Sequence, residues 1–207
     1  MNFGICENEK FHYNWNLLVS ERHCKECVRT RSLLAYRKEI LVKDSWTTSG
    51  DHEIERSAGG VLVCYDEQTG SSQVCLIQVP TRGGNPSWRL PKGWIEPEET
   101  SEEAALRETR EETGCHGEIL SELSEIDYWY TRKNPRGGER IRVQKIVKFY
   151  VMRYLSGSIE DHDHEVEEVR WYSFKDALRA ISYDAEKRVL QEAIHSWDAH
   201  LYRLRLM

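Results

Sequence analysis

Apolar and polar residues alternate along the chain in blocks that predict strands and helices. Short apolar or alternating runs, bounded by glycine, proline and polar turns, are typical of strands. Six such runs occur, at residues 57–66, 72–80, 88–90, 118–132, 140–154 and 165–174. The turn EQTGS separates the first two, and the glycine turn RGGE separates 118–132 from 140–154.

Helical patterns lie between and after these strands. Thr100 followed by Glu103 has the spacing of a capping box, and Gly114 stands where a left-handed helix stop would fall, so we expect a helix over about 101–113. Residues 174–181 and 184–202 predict two closing helices, the second with apolar residues at helical period. Interleaved strands and helices predict an α/β fold with a mixed β-sheet sandwiched between helices.

The first 55 residues differ from the rest of the chain. They contain a Cys-x-x-Cys motif, a helix-like stretch over about 26–42 and a polar connector over 43–53. We therefore divide the 207-residue chain into a small N-terminal extension, residues 1–55, and a main domain, residues 56–207.

Composition and charge narrow the classes of function. No apolar run approaches the ~20 residues that span a bilayer, and the first residues lack the pattern of a signal peptide, so we expect a cytoplasmic protein without membrane contact. The net charge of −6 argues against a general nucleic-acid surface. Residues 131–153 nevertheless hold eight basic residues against one acid. A local basic strip in an acidic chain indicates a bound anion.

Three glutamates on the predicted helix share one face. Glu108, Glu111 and Glu112 are related by three and four positions, so their carboxylates project together and repel one another. A divalent cation would remove that repulsion, and carboxylate oxygens suit Mg²⁺ or Mn²⁺. The alternative is a solvated acidic helix face.

The residues around these glutamates follow the pattern G-x5-E-x7-R-E-x2-E-E-x-G. Its fixed positions are Gly93, Glu99, Arg107, Glu108, Glu111, Glu112 and Gly114. This stretch resembles the Nudix box, the signature of hydrolases that act on nucleoside diphosphates linked to another group. The resemblance extends over the strand order from about residue 57 onward, and it implies a Nudix fold.

The resemblance also implies roles for individual residues. Glu108, Glu111 and Glu112 would bind the cations, with the backbone carbonyl of Lys92 as a further ligand. Arg107 and Glu99 would form the ion pair that ties the loop to the helix. Water would attack phosphorus, and the base that takes its proton would be Glu111 or Glu165, a loop acid that in such enzymes often reaches back to the cations.

Other residues point to the substrate. The sequence WRLPKGWIEP resembles the diadenosine polyphosphate hydrolase branch of the family, which carries a tyrosine about sixteen residues after the box, where Tyr130 stands. Tyr128 shares a strand face with Tyr130, so the pair either stacks an adenine or packs in the core. Lys145 lies on an apolar strand face and either reaches a phosphate or snorkels to solvent. Arg89 and Lys92, beside the box entry, complete the expected substrate contacts.

Several functions stay open at this level. A small-molecule nucleotide, with diadenosine tetraphosphate as the leading example, is the expected substrate. Diphosphoinositol polyphosphates or the 5′ end of an RNA would use the basic strip equally well. A nucleotide-sensing or RNA-associated binding module without catalysis is the alternative class, although such modules typically lose metal-binding glutamates that this chain retains.

The N-terminal extension could hold zinc. Cys24 and Cys27 have the spacing of half a tetrahedral site, and Cys6 with His12 could complete it. Reduced cysteines packed against a helix are the alternative.

Overall fold

The computed structural model describes residues 46–49, 52–66, 69–81, 84–134 and 137–206. They form one nine-stranded mixed sheet with three α-helices. The strands are β1 (Trp46–Ser49), β2 (His52–Asp66), β3 (Ser71–Val79), β4 (Ser87–Arg89), β5 (Lys92–Trp94), β6 (Cys115–Glu122), β7 (Ile126–Lys133), β8 (Arg140–Gly157) and β9 (Glu168–Ser173). The helices are α1 (Ser101–Thr113), α2 (Phe174–Ala180) and α3 (Asp184–Arg205).

Two long strands organise the sheet. β2 and β8 run parallel to each other, with twelve residue pairs from His52↔Arg142 to Val63↔Arg153. Each is longer than its antiparallel neighbours, so different strands pair with its two halves. β1 and β7 flank one end of the pair, β3 and β6 flank the other, and β5 pairs with the middle of β2.

The two faces of the sheet bury two separate cores. Along β8, Val147, Phe149 and Val151 pack with α2 and α3, where Trp197 is the largest buried side chain. Tyr150 and Met152 point to the other face and pack with α1. This alternation follows from the two-residue period of a strand. The predicted mixed sheet between helices is confirmed.

The predicted helix over 101–113 is confirmed, including both of its boundaries. The Thr100 side chain accepts the N–H of Glu103, the Glu103 carboxylate accepts the N–H of Thr100, and Gly114 ends the helix at φ 71°. These signals are local, which is why the sequence alone located the helix.

Three predictions about strands were wrong. The polar connector over 43–53 contains β1 and the start of β2, and the loop before α1 contains β5, because pairing with β2 makes these polar residues strands. The single candidate over 118–132 is two strands, β6 and β7. Leu123, between them, is buried and donates its N–H to the carbonyl of Phe149, so the chain leaves one half of β8 and then pairs with the other.

The division at residues 55 and 56 stays a prediction, since most of the extension lies outside the described residues. No helix of the described segments is long and apolar enough to cross a membrane.

Candidate active site

The acidic face of α1 lies against the short strand β5. Lys92 donates its backbone N–H to Oε2 of Glu112 at 2.6 Å. Glu108 is largely buried, with 15% of its side chain exposed, whereas Glu111 is 52% exposed. Gly93, the residue after Lys92, has no side chain, so the backbone of β5 can lie directly against the Glu108 carboxylate. The predicted trio of glutamates therefore meets the predicted loop residues in one place.

Burial of this face disfavours the ionised form of two of its glutamates. It raises the pKa of Glu112 to about 7, although the positive charge of Lys92 opposes the shift. It also raises the pKa of Glu108, against hydrogen bonds from Arg107. The neighbouring acids add to the shift in both cases. Positive charge placed here would relieve the desolvation and repulsion of these carboxylates.

The implied divalent cation fits the donor set of this face. Carboxylate oxygens, with water and substrate phosphates to complete an octahedral shell, are the ligands that Mg²⁺ and Mn²⁺ prefer. Gly93 also leaves a cradle: a Cβ built on it would lie 1.9 Å from Cδ of Glu108, so only glycine lets that carboxylate occupy this space. No group of three His, Cys, Asp or Glu side chains within the described segments is already arranged to hold a metal. Arg107 instead binds Glu108 and Glu111, at 2.6 and 3.2 Å.

Arg107 also binds the loop that precedes α1 and holds it against the helix. Its Nε and Nη2 donate to the two oxygens of Glu99, each at 2.8 Å, and Nη2 donates to the carbonyl of Trp94. Burial alone would raise the pKa of Glu99, but hydrogen bonds from Arg107 and from the N–H of Glu96, together with the charge of Arg107, outweigh it and lower that pKa. The ion pair between Arg107 and Glu99, which the resemblance to the Nudix box implied, is present in the structure.

Arg107→Lys is expected to weaken the attachment of this loop to α1, because an ammonium group cannot donate to both oxygens of Glu99 as the guanidinium does. We expect a loss of about 1–3 kcal/mol in the free energy of unfolding and a fall of about 10-fold in kcat. Thermal unfolding and steady-state kinetics measure the two effects. Arg110→Lys, an exposed change on the same helix, is the matched control and should alter neither. Equal effects of the two changes would contradict the assigned role of Arg107.

A loop before β9 contacts the C-terminal end of α1. Asp163 donates its N–H to the carbonyl of Glu111 at 2.9 Å, and its charge contributes to the raised pKa of Glu112. Glu165, the predicted loop acid, is exposed, and its N–H donates to the Asp163 carboxylate. In the structure, Asp163 is therefore the acid of this loop that contacts α1 and helps to raise the pKa of Glu112. No sequence pattern distinguishes Asp163 from its neighbours, since the run DHDHE offers several equivalent acids.

Beside the acidic face lies a cavity of about 700 Å³. Four of the five predicted substrate contacts line it, namely Arg89, Tyr128, Tyr130 and Lys145. The rings of Tyr128 and Tyr130 are 6.5 Å apart and tilted by 38°, and 37% of Tyr128 is exposed. These tyrosines face the cavity and are not buried in the core. Its volume lies within the usual range of small-molecule sites.

Lys145 points into this cavity, and its charge interacts with the acids of α1. Burial lowers its pKa, as does the charge of Lys92, while Glu55, Glu112 and Glu108 oppose the shift. Lys148 has a different environment: it forms an ion pair with Glu122 at 3.0 Å. Lys145 and Lys148 are three residues apart on β8, so the two-residue period of a strand places them on opposite faces of the sheet.

Two further residues of the cavity escaped the sequence analysis. Glu186, in the first turn of α3, is buried and accepts the N–H of Leu90, with its other oxygen 3.7 Å from Nζ of Lys92. Lys92 therefore connects the acidic face to the cavity wall. Tyr183 receives a hydrogen bond from Arg89, whose guanidinium also lies 4.6 Å from the ring centre. No pattern in the sequence distinguishes these two residues from other surface acids and tyrosines.

The possible zinc ligands Cys6, His12, Cys24 and Cys27 lie outside the described residues, so that hypothesis stays a prediction.

Comparisons with known proteins agree with this arrangement. The NUDIX domain family model matches residues 55–193. The chain is 39% identical over 140 residues to the putative mutator protein MutT4 of Mycobacterium tuberculosis, covering 67% of this chain and 54% of that protein. It is 30% identical over 115 residues to the asymmetrical bis(5′-nucleosyl)-tetraphosphatase of Rattus norvegicus, covering 51% and 68%.

The fold also matches a solved structure, the NUDIX domain of Shewanella oneidensis NrtR complexed with ADP ribose, with a TM-score of 0.50 at 20% identity, covering 77% of this chain and 91% of that one. This chain spans about half the length of the first curated relatives it matches, 54% and 46%. With the family model covering two thirds of the sequence and the fold in agreement, the chain belongs to the Nudix hydrolase family.

Proposed function

We propose that this protein is a divalent-metal-dependent pyrophosphohydrolase that cleaves a phosphoanhydride bond in a nucleoside polyphosphate. The observation that carries this proposal is the junction of the acidic face of α1 with the cavity. Lys92 joins them, since its backbone binds Glu112 and its side chain pairs with Glu186 of the cavity wall. A cation site and a nucleotide-sized cavity that share a wall suit a substrate with a polyphosphate at one end and a base at the other.

Glu108, Glu111, Glu112 and the Lys92 carbonyl would hold Mg²⁺ or Mn²⁺. When bound, such cations neutralise the charge that develops on the phosphates and acidify water. Lys145 binds a phosphate oxygen from the cavity side. A carboxylate oxygen of either Glu111 or Glu165 accepts the proton of the attacking water, with Glu111 the more open of the metal-binding trio. Arg107 keeps the loop and helix in register.

A dinucleoside polyphosphate such as diadenosine tetraphosphate is the leading substrate class. The tyrosine at position 130 supports it, and so does the similarity to the rat bis(5′-nucleosyl)-tetraphosphatase. Tyr128 and Tyr130 present rings that can stack on a base. In an asymmetric cleavage, diadenosine tetraphosphate gives ATP and AMP.

The 5′ end of an RNA is the second candidate, favoured by one observation. Trp129 also lines the cavity, is 42% exposed and carries Arg142 at 4.1 Å from its ring centre. An aromatic ring with a stacked guanidinium beside the site can support a following nucleotide.

A substrate panel with Mg²⁺ or Mn²⁺ tests the proposal. It comprises diadenosine and diguanosine tetraphosphates, nucleoside triphosphates, ADP-ribose, a diphosphoinositol polyphosphate and 5′-triphosphate RNA, with products separated by ion exchange. We expect metal-dependent turnover with the highest kcat/KM for a dinucleoside tetraphosphate. If folded protein with either metal hydrolyses none of them, the catalytic proposal is wrong and the binding module takes its place.

Lys145→Met is expected to raise KM for the best substrate of that panel by about 10–100-fold, since a hydrogen bond to a charged group contributes about 1.5–3 kcal/mol. Methionine keeps the unbranched shape and most of the length of the side chain and removes the charge. Initial rates over a range of substrate concentration give the KM. Lys148→Met, three residues along the same strand but paired with Glu122, is the control and should leave KM within about 2-fold. An unchanged KM in Lys145→Met would exclude a phosphate contact.

A further inference from the structure

Glu55 is a buried acid with few hydrogen-bond donors around it. It lies on β2 with 2% of its surface exposed, and apart from the nearby Tyr130 phenol its carboxylate oxygens have no hydrogen-bond partner among the described residues. Ser57, two residues along and therefore on the same face, is also buried with an unpartnered hydroxyl. Buried polar groups are almost always satisfied, because an unmade hydrogen bond costs about 1–3 kcal/mol and more for a charged group.

Two basic residues near Glu55 offset its charge without donating a hydrogen bond to it. Nε of Arg132 is 3.9 Å from Oε1, an ion-pair distance but not a hydrogen bond. Lys145 is its strand partner on β8 and makes no ion pair or hydrogen bond within the described part of the chain. Coulomb attraction offsets the cost of burying this acid, while most of its acceptor sites stay unused.

Glu55 adjoins the cavity at the end with the aromatic residues. Strand pairing places Glu55, Lys145 and Tyr128 in one row across β2, β8 and β7, and the latter two line the cavity. Tyr130, also in the lining, approaches the Glu55 carboxylate. Burial raises the pKa of the Tyr130 phenol, and the Glu55 carboxylate raises it further through a hydrogen bond from the phenol and through its charge. Tyr130 therefore links the Glu55 carboxylate to the cavity, and rotation of its side chain on binding would expose the carboxylate to a bound base.

We propose that Glu55 is a specificity-determining residue that accepts the N1–H and N2–H donors of a guanine base stacked on Tyr128 and Tyr130. An ionised carboxylate has only acceptors, so it matches two adjacent donors. Guanine presents this pair, whereas adenine presents one donor beside an acceptor. The inference rests on the proposed class of dinucleoside polyphosphate substrates and names guanine, in place of the adenine of diadenosine tetraphosphate, as the base that enters the cavity. Ribose hydroxyls offer the same donor chemistry, but the flanking rings favour the base.

Equilibrium binding with EDTA present tests the proposal without turnover or metal. The probes are GTP, ITP, ATP and 2′,3′-dideoxy-GTP, measured by calorimetry. We expect GTP to bind about 10-fold more tightly than ITP, which lacks the N2 amine, and than ATP, in line with about 1–3 kcal/mol for a two-point base contact. Dideoxy-GTP should bind as GTP does. A loss with dideoxy-GTP and not with ITP would assign the ribose and overturn the guanine assignment.

Glu55→Gln should remove the preference of GTP over ITP and favour ATP, because an amide both donates and accepts. Glu53→Gln is the matched control, since Glu53 lies two residues earlier on the same face and is bound by Arg132 at 2.5 Å. If the amide variant does not fold, Glu55→Asp, which keeps both acceptors, should retain the order of the bases with a smaller ratio. Equal binding of GTP and ITP by the wild type, a preserved ratio in Glu55→Gln, or no GTP binding at all would overturn the proposal. Failure of the substrate panel alone would leave this result standing.

Discussion

Glu112→Gln is expected to lower kcat by at least about 10³-fold, because a bound cation contributes several kcal/mol of charge stabilisation and each 1.4 kcal/mol is tenfold in rate. The fold should survive the change. The oxygen of the amide can still accept the N–H of Lys92, which lies 2.6 Å from the carboxylate oxygen in the wild type. Removal of a carboxylate that burial disfavours also costs the protein no stability.

The measurement is steady-state turnover with saturating Mg²⁺ or Mn²⁺, together with thermal unfolding in EDTA. The melting temperature should stay within about 3 °C of the wild type or rise. Glu102→Gln changes an exposed glutamate in the first turn of the same helix and controls for helix charge. Activity near the wild-type level in Glu112→Gln would falsify the assignment of this face as the cation site.

Gly93→Ala is expected to reduce activity by about 100-fold or more while the protein stays folded. The new Cβ would lie 1.9 Å from Cδ of Glu108, so that carboxylate must leave its place beside β5. Since the obstructed group is the end of a flexible side chain, another rotamer relieves the clash at small cost in stability. The catalytic cost is larger, since a displaced ligand loses the positioning on which phosphoryl transfer depends.

Gly59→Ala gives the comparison that separates these effects. Its Cβ would lie 2.3 Å from the backbone oxygen of Pro91, which no rotamer change can relieve. We expect this variant to lose stability first, seen as a lower melting temperature, and Gly93→Ala to lose activity first. When melting temperature and kcat are both measured, the melting temperature should fall more in Gly59→Ala and kcat should fall more in Gly93→Ala. If Gly93→Ala were fully active, the space beside Glu108 would not be needed for catalysis.

Local sequence signals predicted α1 and the arrangement of its glutamates. The capping box at Thr100 and the glycine at 114 fixed α1 to the residue, because helix ends depend on side chains a few positions away. The face shared by the three glutamates follows from helical periodicity alone. The likeness to a family motif added the expectation that Arg107 binds Glu99, and the structure contains that contact.

The strand boundaries that the sequence did not predict depend on pairing between residues far apart in the chain. A polar stretch became β1 and the start of β2 because β8 and its neighbours supply hydrogen-bond partners there. The break between β6 and β7 has no glycine or proline, and the packing of Leu123 sets it. Such features depend on residues far away in the chain, which local propensity does not encode.

The sequence by itself determined the acidic helix, the loop that precedes it and the family to which they belong. Only the tertiary structure decided how that helix is joined to a cavity, and which other residues share the cavity. Glu186 comes from a helix 96 residues beyond the Leu90 N–H that it binds, and Glu55 is buried because strands pair on both of its sides. Burial and charge at one position are sums over the whole fold, and they exist only once the sheet has formed.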